Sequence, residues 1–396
     1  MHAAIVQLIV DTFKASLDPS IFKLYRKYLY SRYKETDELS QGEVVHEKAK
    51  ERLQKIPDSF AKNAFYFDAG NQLEINLAGN KIPGPVGLAA GFDKNCELLI
   101  PTSYVFGFLS PGSVARDPRQ GNPQHPRSKG TVRLAIDDER ESIINAQGYP
   151  QKGLDYTVEK LMEFRAHDHG RAKLLLNFSG ITDVLTEDAV LDSCKEIISR
   201  TIDYVDFGFE ENRTSPNTDF NKKLQTPEFT KKMIDVMNST VPNKLVKVSK
   251  IAPYSKIPPS EEEVESRMKS IEIFYENGGH AVTIGNTRSV NTKQMPKAMR
   301  FARQVAGESG RPLFPYMLKM VLEARKRFPE LAIIACGGIS EGQDAWQAYE
   351  SGATLVELYT ALTFRGFGVV RHIHETLRRR LGARTLQEFV DERMRK

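Results

Sequence analysis

Leu331-Ala-Ile-Ile-Ala-Cys-Gly-Gly338-Ile-Ser-Glu-Gly342 is an apolar, β-branched run that stops at two glycines and opens a segment of helical character. An apolar run of that length, ended by glycine and followed by a 3.6-residue periodicity, marks a buried strand in a βα unit. Seven further runs share the pattern: residues 86–91, 106–114, 173–178, 204–212, 244–252, 280–286 and 354–360. Amphipathic segments at 188–202, 227–237, 261–276 and 315–327 lie between them. Eight strands alternating with helices predict an α/β fold of the (β/α)8 barrel type. The alternative is an open doubly wound sheet, and no G-x-G-x-x-G follows the first run, which counts against a dinucleotide-binding half. Upstream, residues 66–81 predict a hairpin turning at Gly70-Asn71. The expected organisation is a barrel over residues 66–396, preceded over residues 1–65 by a small helical extension and connector.

The chain has 396 residues, 40% of them hydrophobic and 27% charged, so a large core can be buried. Disordered, collagen-like and polytopic membrane classes are excluded. Lys+Arg 56 against Asp+Glu 51 leaves +5, spread along the chain rather than gathered as a nucleic-acid binder would gather it. Cys96, Cys194 and Cys336 form no C-x-x-C pair, so no metal or iron–sulfur site is expected and a reducing compartment is.

The charge that is concentrated lies at the start. Ile5, Leu8, Ile9, Phe13 and Leu17 recur at helical spacing, and Asp18-Pro19-Ser20 breaks the pattern. A second amphipathic stretch interleaves Phe22, Tyr25, Tyr28, Tyr30 and Tyr33 with Lys23, Arg26, Lys27, Arg32 and Lys34. With Lys14 these are six cations against Asp11 and Asp18, or +4 over residues 1–34. Rings at headgroup depth and cations against anionic lipid suit a peripheral membrane helix pair, expected on the cytoplasmic side of the cell membrane or at the mitochondrial inner membrane. A hairpin packed on the protein body is the plainer alternative. The apolar stretch at residues 3–10 falls far short of the roughly 20 residues of a spanning helix.

A barrel carries its function at the C-terminal ends of its strands. Those ends read Ala89-Ala90-Gly91-Phe92-Asp93-Lys94, Gly112-Ser113, Asn177, Asn212 with Thr214-Ser215-Pro216-Asn217-Thr218, Asn286-Thr287, Gly337-Gly338 and Tyr359-Thr360, with Lys247 and Lys250 on the fifth strand. Amides from three strands plus two lysines suit a flat heterocycle with carbonyl and imide edges. The Gly337-Gly338 turn and Ser309-Gly310-Arg311 suit a phosphate, because glycines let backbone N–H groups approach an anion at a helix start. FMN, planar and phosphorylated, satisfies both.

Together these motifs resemble the dihydroorotate dehydrogenase family, specifically its quinone-reducing, membrane-associated class 2. The resemblance rests on Val86-Gly-Leu-Ala-Ala-Gly-Phe-Asp-Lys94, Gly112-Ser-Val114, Gln120-Gly-Asn-Pro123, Ile144-Asn145 with Gly148, Ser215-Pro-Asn-Thr218, Lys250-Ile-Ala-Pro253, Asn286-Thr287, Ser309-Gly-Arg-Pro-Leu313, Gly337-Gly338 and Leu358-Tyr-Thr-Ala-Leu-Thr-Phe364. It implies an FMN-binding barrel that oxidises dihydroorotate to orotate in pyrimidine biosynthesis and reduces a quinone. The flavin contacts it implies are Ala89, Ala90, Gly91, Ser113, Asn145, Asn177, Asn212, Lys250, Thr287, Ser309, Gly310, Gly337, Gly338, Tyr359 and Thr360. The substrate contacts are Lys94, Asn145, Gly148, Tyr149, Asn212, Asn217, Asn286 and Thr287, with Ser215 as the base that takes the C5 proton.

The chain departs from the family in places that bear on rate, loop behaviour and quinone choice. Tyr149 stands where the family has a phenylalanine and Ala146 where it has an arginine. Phe178-Ser-Gly-Ile181 and Asp219-Phe220-Asn221 replace the usual segments, and Lys23 takes the place of a quinone-tunnel histidine while Arg133 keeps the tunnel arginine. Two other functions stay open on the sequence: a paralogous flavoenzyme acting on another dihydropyrimidine or enone, and a flavin-binding regulatory protein without turnover.

Overall fold

The computed structural model describes residues 41–57, 61–62, 67–122, 133–184, 186–214, 220, 223–294 and 303–395, with side chains from residue 48. Residues 1–34, read above as a membrane helix pair, lie outside the described residues, as do Ser215 and Asn217.

Eight strands close into a parallel barrel. In chain order they are β3 (Val86–Leu88), β4 (Phe108–Leu109), β7 (Lys173–Phe178), β8 (Gly208–Glu211), β9 (Val246–Ile251), β10 (Ala281–Ile284), β13 (Ala332–Cys336) and β14 (Leu355–Leu358), and β14 returns to pair with β3. Each falls inside one of the eight runs expected from the sequence. The strands are buried on both faces, as parallel strands covered by helices must be. Phe108 meets Phe207 edge to face at 5.9 Å, and Phe178 meets Phe209 at 6.3 Å.

The helices between strands start where side chains can cap them. Thr186, Thr226 and Ser260 accept hydrogen bonds from the backbone N–H of Ala189, Phe229 and Glu263, opening the helices Glu187–Thr201, Pro227–Thr240 and Glu261–Glu276. Each cap contributes about 1 kcal/mol.

Two additions decorate the barrel. At its N-terminal end β1 (Ile75–Leu77) and β2 (Asn80–Ile82) form a hairpin that turns at Ala78-Gly79. The expected turn at Gly70-Asn71 instead leads into a single 3-10 turn, Asn71–Leu73. Asn76 Oδ1 accepts from Gly79 N–H at 3.0 Å, so an asparagine side chain closes the turn nine residues beyond Gly70. At the other end, the connections after β4 and β10 pair with each other. β5 (Leu134–Asp137), β6 (Ser142–Asn145), β11 (Arg288–Asn291) and β12 (Val305–Gly310) make an antiparallel sheet in the order β11-β12-β6-β5, which the sequence reading did not anticipate. The helix Gln41–Gln54 packs against β5. Among the described residues no helix is long and apolar enough to cross a membrane.

Candidate active site at the barrel mouth

The small sheet stands over the C-terminal ends of the barrel strands, and a cleft of roughly 1230 Å³, its mouth included, opens between them. Ala89, Ala90, Gly91, Lys94 and Ser113 line it from the first two barrel strands, and Asn212, Lys250, Asn286 and Thr287 from the next. Gly337, Gly338, Tyr359 and Thr360 come from the last two; Asn145, Gly148, Tyr149, Ser309 and Gly310 come from the small sheet and its connections. Of the described flavin and substrate contacts implied by the family, Asn177 lies behind the lining, fully buried, with its Nδ2 donating to Glu210.

Hydrogen bonds hold the amides in place. Asn212 Nδ2 donates to Ser113 Oγ at 2.9 Å, while its Oδ1 accepts from the Thr214 N–H at 3.1 Å and hydroxyl at 2.8 Å. Asn286 Nδ2 donates to Thr214 Oγ1 at 2.6 Å, and Asn145 Nδ2 to the Gly307 carbonyl at 3.3 Å. Thr214, 4% exposed, is therefore pinned from two strands, and the segment beginning at Ser215 leaves from that fixed point. Lys94 Nζ donates to the Gly91 carbonyl at 2.7 Å. Asp93 behind it is buried and accepts from the Glu97 and Leu98 N–H groups at 2.9 Å, which sets the direction of the turn.

Two glycines are required by close approach. A Cβ on Gly338, at φ +74°, would lie 2.4 Å from Phe314 N, and one on Gly148, at φ +70°, 2.5 Å from Asn122 Oδ1. Tyr149 follows at φ 59°, an uncommon conformation for a non-glycine residue that turns its backbone at the cleft. The helix Gly342–Glu350 after the Gly337-Gly338 turn is already capped: Asp344 Oδ2 accepts from Ser340 N at 2.9 Å and Glu341 N at 3.1 Å. An anion in the cleft would thus meet the backbone of Gly310, Gly338 and Thr360 rather than that helix end.

The two lysines of β9 part company. Lys250 faces into the barrel beneath the cleft, 3% exposed, whereas Lys247 reaches outward and donates to Asn238 Oδ1 at 2.7 Å on the surrounding helix Pro227–Thr240. Strand alternation sends residues an odd number apart to opposite faces, so only one of the pair reaches the site. Burial would strip the Lys250 proton, yet Glu210 and Glu357 outweigh it and raise its pKa above the usual lysine range. Glu357 and Cys336 also line the cleft, and Arg311 and Arg365 stand at its rim. Arg311 belongs to the Ser309-Gly310-Arg311 turn already read as suited to a phosphate, whereas Glu357 and Arg365 carried no sequence signal beyond their residue type.

The donor set fits a planar phosphorylated heterocycle: amides and a buried ammonium at one end, glycine turns and the hydroxyls of Ser309 and Thr360, 2.9 Å apart, at the other. Among the described residues no His, Cys, Asp and Glu side chains group as metal ligands would.

Fold and cleft define a (β/α)8 barrel enzyme with its site at the C-terminal mouth. A family model described as dihydroorotate dehydrogenase matches residues 72–381, and the chain belongs to that family, in its quinone-dependent class 2 branch. Dihydroorotate dehydrogenase (quinone) of Sphingopyxis alaskensis is 29% identical over 383 residues, covering 95% of this chain and 98% of its own. The mitochondrial quinone enzyme of Mus musculus is 31% identical over 343 residues, covering 82% and 80%. The crystal structure of DHODH from Eimeria tenella in complex with ferulenol superposes with a TM-score of 0.72 at 26% identity, covering 89% of this chain and 96% of that one. A flavin is the cofactor that family membership implies.

Proposed function

We propose that the protein oxidises dihydroorotate to orotate with FMN bound in the cleft and passes the electrons to a membrane quinone, in pyrimidine biosynthesis. The observation that carries this is the convergence of Lys250, three asparagines and two glycine turns on one cleft at the barrel mouth of a family member. The two alternatives, a paralogue with another substrate and a flavin-binding regulator, have no observation in their favour.

FMN, once bound, supplies the acceptor for the hydride leaving C6 of the substrate. The chain does the rest. Glycine backbone at Gly310 and Gly338, with Ser309 and Thr360, suits the phosphate; Ala89, Ala90, Gly91, Ser113, Thr287, Gly337 and Tyr359 offer the walls for the ring system. Asn145, Asn212 and Asn286 present amide donors and acceptors to the substrate's imide and carbonyl edges, and Lys94 with Gly148, Tyr149 and Thr287 closes round its carboxylate end. Fixed donors aimed at developing negative charge need no reorganisation as the reaction proceeds. Asn217 and the base Ser215 belong to the segment that Thr214 anchors. A serine hydroxyl is a weak base, so it works only where water is excluded and a relay carries its proton away.

Ser215→Ala should keep a yellow, flavin-loaded protein while slowing flavin reduction by dihydroorotate about 10²–10⁴-fold. Stopped-flow absorbance measures it, and an unchanged rate assigns the base elsewhere. Residues 1–34 supply the membrane and quinone end, on the cytoplasmic side of the cell membrane or at the mitochondrial inner membrane. Reversing Lys23, Arg26 and Lys27 to Glu should weaken sedimentation with anionic vesicles at least 100-fold, since each cation near such a surface contributes about 1 kcal/mol. Equal sedimentation would return that segment to a packed hairpin.

A further inference from the structure

Three ionisable side chains meet inside the barrel, directly beneath the cleft. Lys250 Nζ lies 3.5 Å from Glu210 Oε1 and 3.4 Å from Glu357 Oε2, and none of the three is more than 3% exposed. They come from β8, β9 and β14 and face one another across the barrel interior. Ser110 of the connection after β4 donates its hydroxyl to Glu357 Oε1 at 2.5 Å, and Asn177 of β7 donates to Glu210. From β13 the Cys336 thiol, its pKa raised by burial, stands beside Glu357 in the strand register. No other charged group faces the cluster from these elements: on β8 the neighbouring Glu211, and on β9 Lys247, point to the outside of the barrel wall.

Fully ionised, the cluster carries one positive and two negative charges. A net charge removed from water costs several kcal/mol, and a buried pair of carboxylates relieves it by keeping one proton between them. One proton makes this cluster neutral, with Lys250 balanced by a single carboxylate. Burial and the Glu210 charge raise the Glu357 carboxyl above the ordinary carboxylate range, against the pull of Lys250 and Ser110, which agrees with that count.

We propose that Glu357, set with Glu210 against a single lysine, keeps its proton at neutral pH, and that this proton holds the floor of the flavin site electrically neutral and sets how the flavin's midpoint potential varies with pH. The second half rests on the FMN reading above. The first half does not, because the three side chains meet whether or not a flavin is bound. Glu357 lines the cleft and Glu210 lies behind it, so Glu210 acts through Lys250 as a positioning residue. Loss of the proton at alkaline pH leaves a net negative floor, which disfavours adding electrons to the ring above it.

Infrared difference spectra of full-length protein carrying 13C-carboxyl glutamate test the proton directly. At neutral pH the wild type should show the C=O stretch of a protonated carboxyl that is absent from Glu210→Gln and equally absent from Glu357→Gln. Either change leaves one carboxylate balanced by Lys250 and no need of a proton. A band that survives in both variants, or is missing from the wild type, overturns the retained proton; two variants guard against one failing to fold. Potentiometry of the flavin-loaded protein tests the consequence. Over the pH span in which that proton is lost, the wild-type midpoint potential should fall more steeply with pH than that of either variant, and parallel profiles throughout overturn the tuning. A protein that binds no flavin would overturn the FMN reading and the tuning while the infrared result still decides the proton.

Discussion

Glu210 and Glu211 are consecutive on β8, equally buried, and do different work because they point to opposite sides of the barrel wall. Glu210 faces inward and shares Lys250 with Glu357, two carboxylates to one cation. Glu211 faces outward, accepts from Ser249 and pairs with Arg213 at 3.2 Å, one carboxylate to one cation. Burial raises the Glu211 carboxyl pKa, with Arg213 and Ser249 opposing it. Arg213 also donates to Thr230 Oγ1 at 2.9 Å, lies 5.4 Å over the Phe229 ring and accepts from Gln225 Nε2 at its carbonyl. It therefore ties the end of β8 to the start of the helix Pro227–Thr240, the two attachments of the chain that carries Ser215. The inner cluster is placed to tune a ligand and the outer pair to hold a loop. A period of two along one strand separates the roles.

Two perturbations break that contrast and a third sets a buried group outside it against both. Lys250→Met strips the inner cluster of its one cation and should cost about 3–5 kcal/mol in urea unfolding, with loss of bound flavin. A loss under about 1 kcal/mol would mean that the inner cluster balances its charge without the lysine. Arg213→Met strands only Glu211 and should cost about 3 kcal/mol. Here flavin should stay bound while its reduction slows roughly 10- to 100-fold, because the base is carried by a loop no longer clamped. Adding Glu211→Gln should recover much of the stability and none of the rate. If flavin is lost from Arg213→Met, the outer pair is not separable from the site.

The last perturbation concerns a buried titratable group elsewhere in the fold, with Asp68 as its one opposing charge. His374, on the helix Gly368–Leu381, is 3% exposed, and its Nε2 has no hydrogen-bond partner. Burial, with Arg378 nearby and only Asp68 opposing, pushes its pKa down to about 3. The unfolded chain takes up that proton near pH 6.5 and the folded chain does not, so stability falls as pH drops from about 6.5 towards 3, by roughly 1.4 kcal/mol per pH unit at most. His374→Leu should flatten this acid limb of chemical denaturation without altering the flavin spectrum. An unchanged limb would place the acid sensitivity in the carboxylate clusters instead.

The barrel and most of its mouth are legible in the amino-acid pattern. Parallel strands covered on both faces are continuous apolar runs, and β7 and the helix Glu261–Glu276 coincide with their expected bounds because local pattern and burial agree there. The glycines and asparagines at the strand ends were legible for a similar reason: turn chemistry is local. The structure alone decided which residues meet. The sheet β11-β12-β6-β5 leaves little trace in the sequence because its strands have at most six residues and include Gly307, Ser309 and Gly310, poor β-formers whose partners on β6 lie more than 150 positions away. Lys247 and Lys250 looked alike in sequence, and strand alternation parted them. Glu210 and Glu357 each read as a charge within an apolar run, and only closure of the barrel set both against Lys250, 40 and 107 positions distant. Contacts of that span leave no periodicity along the chain, so tertiary structure alone could reveal them.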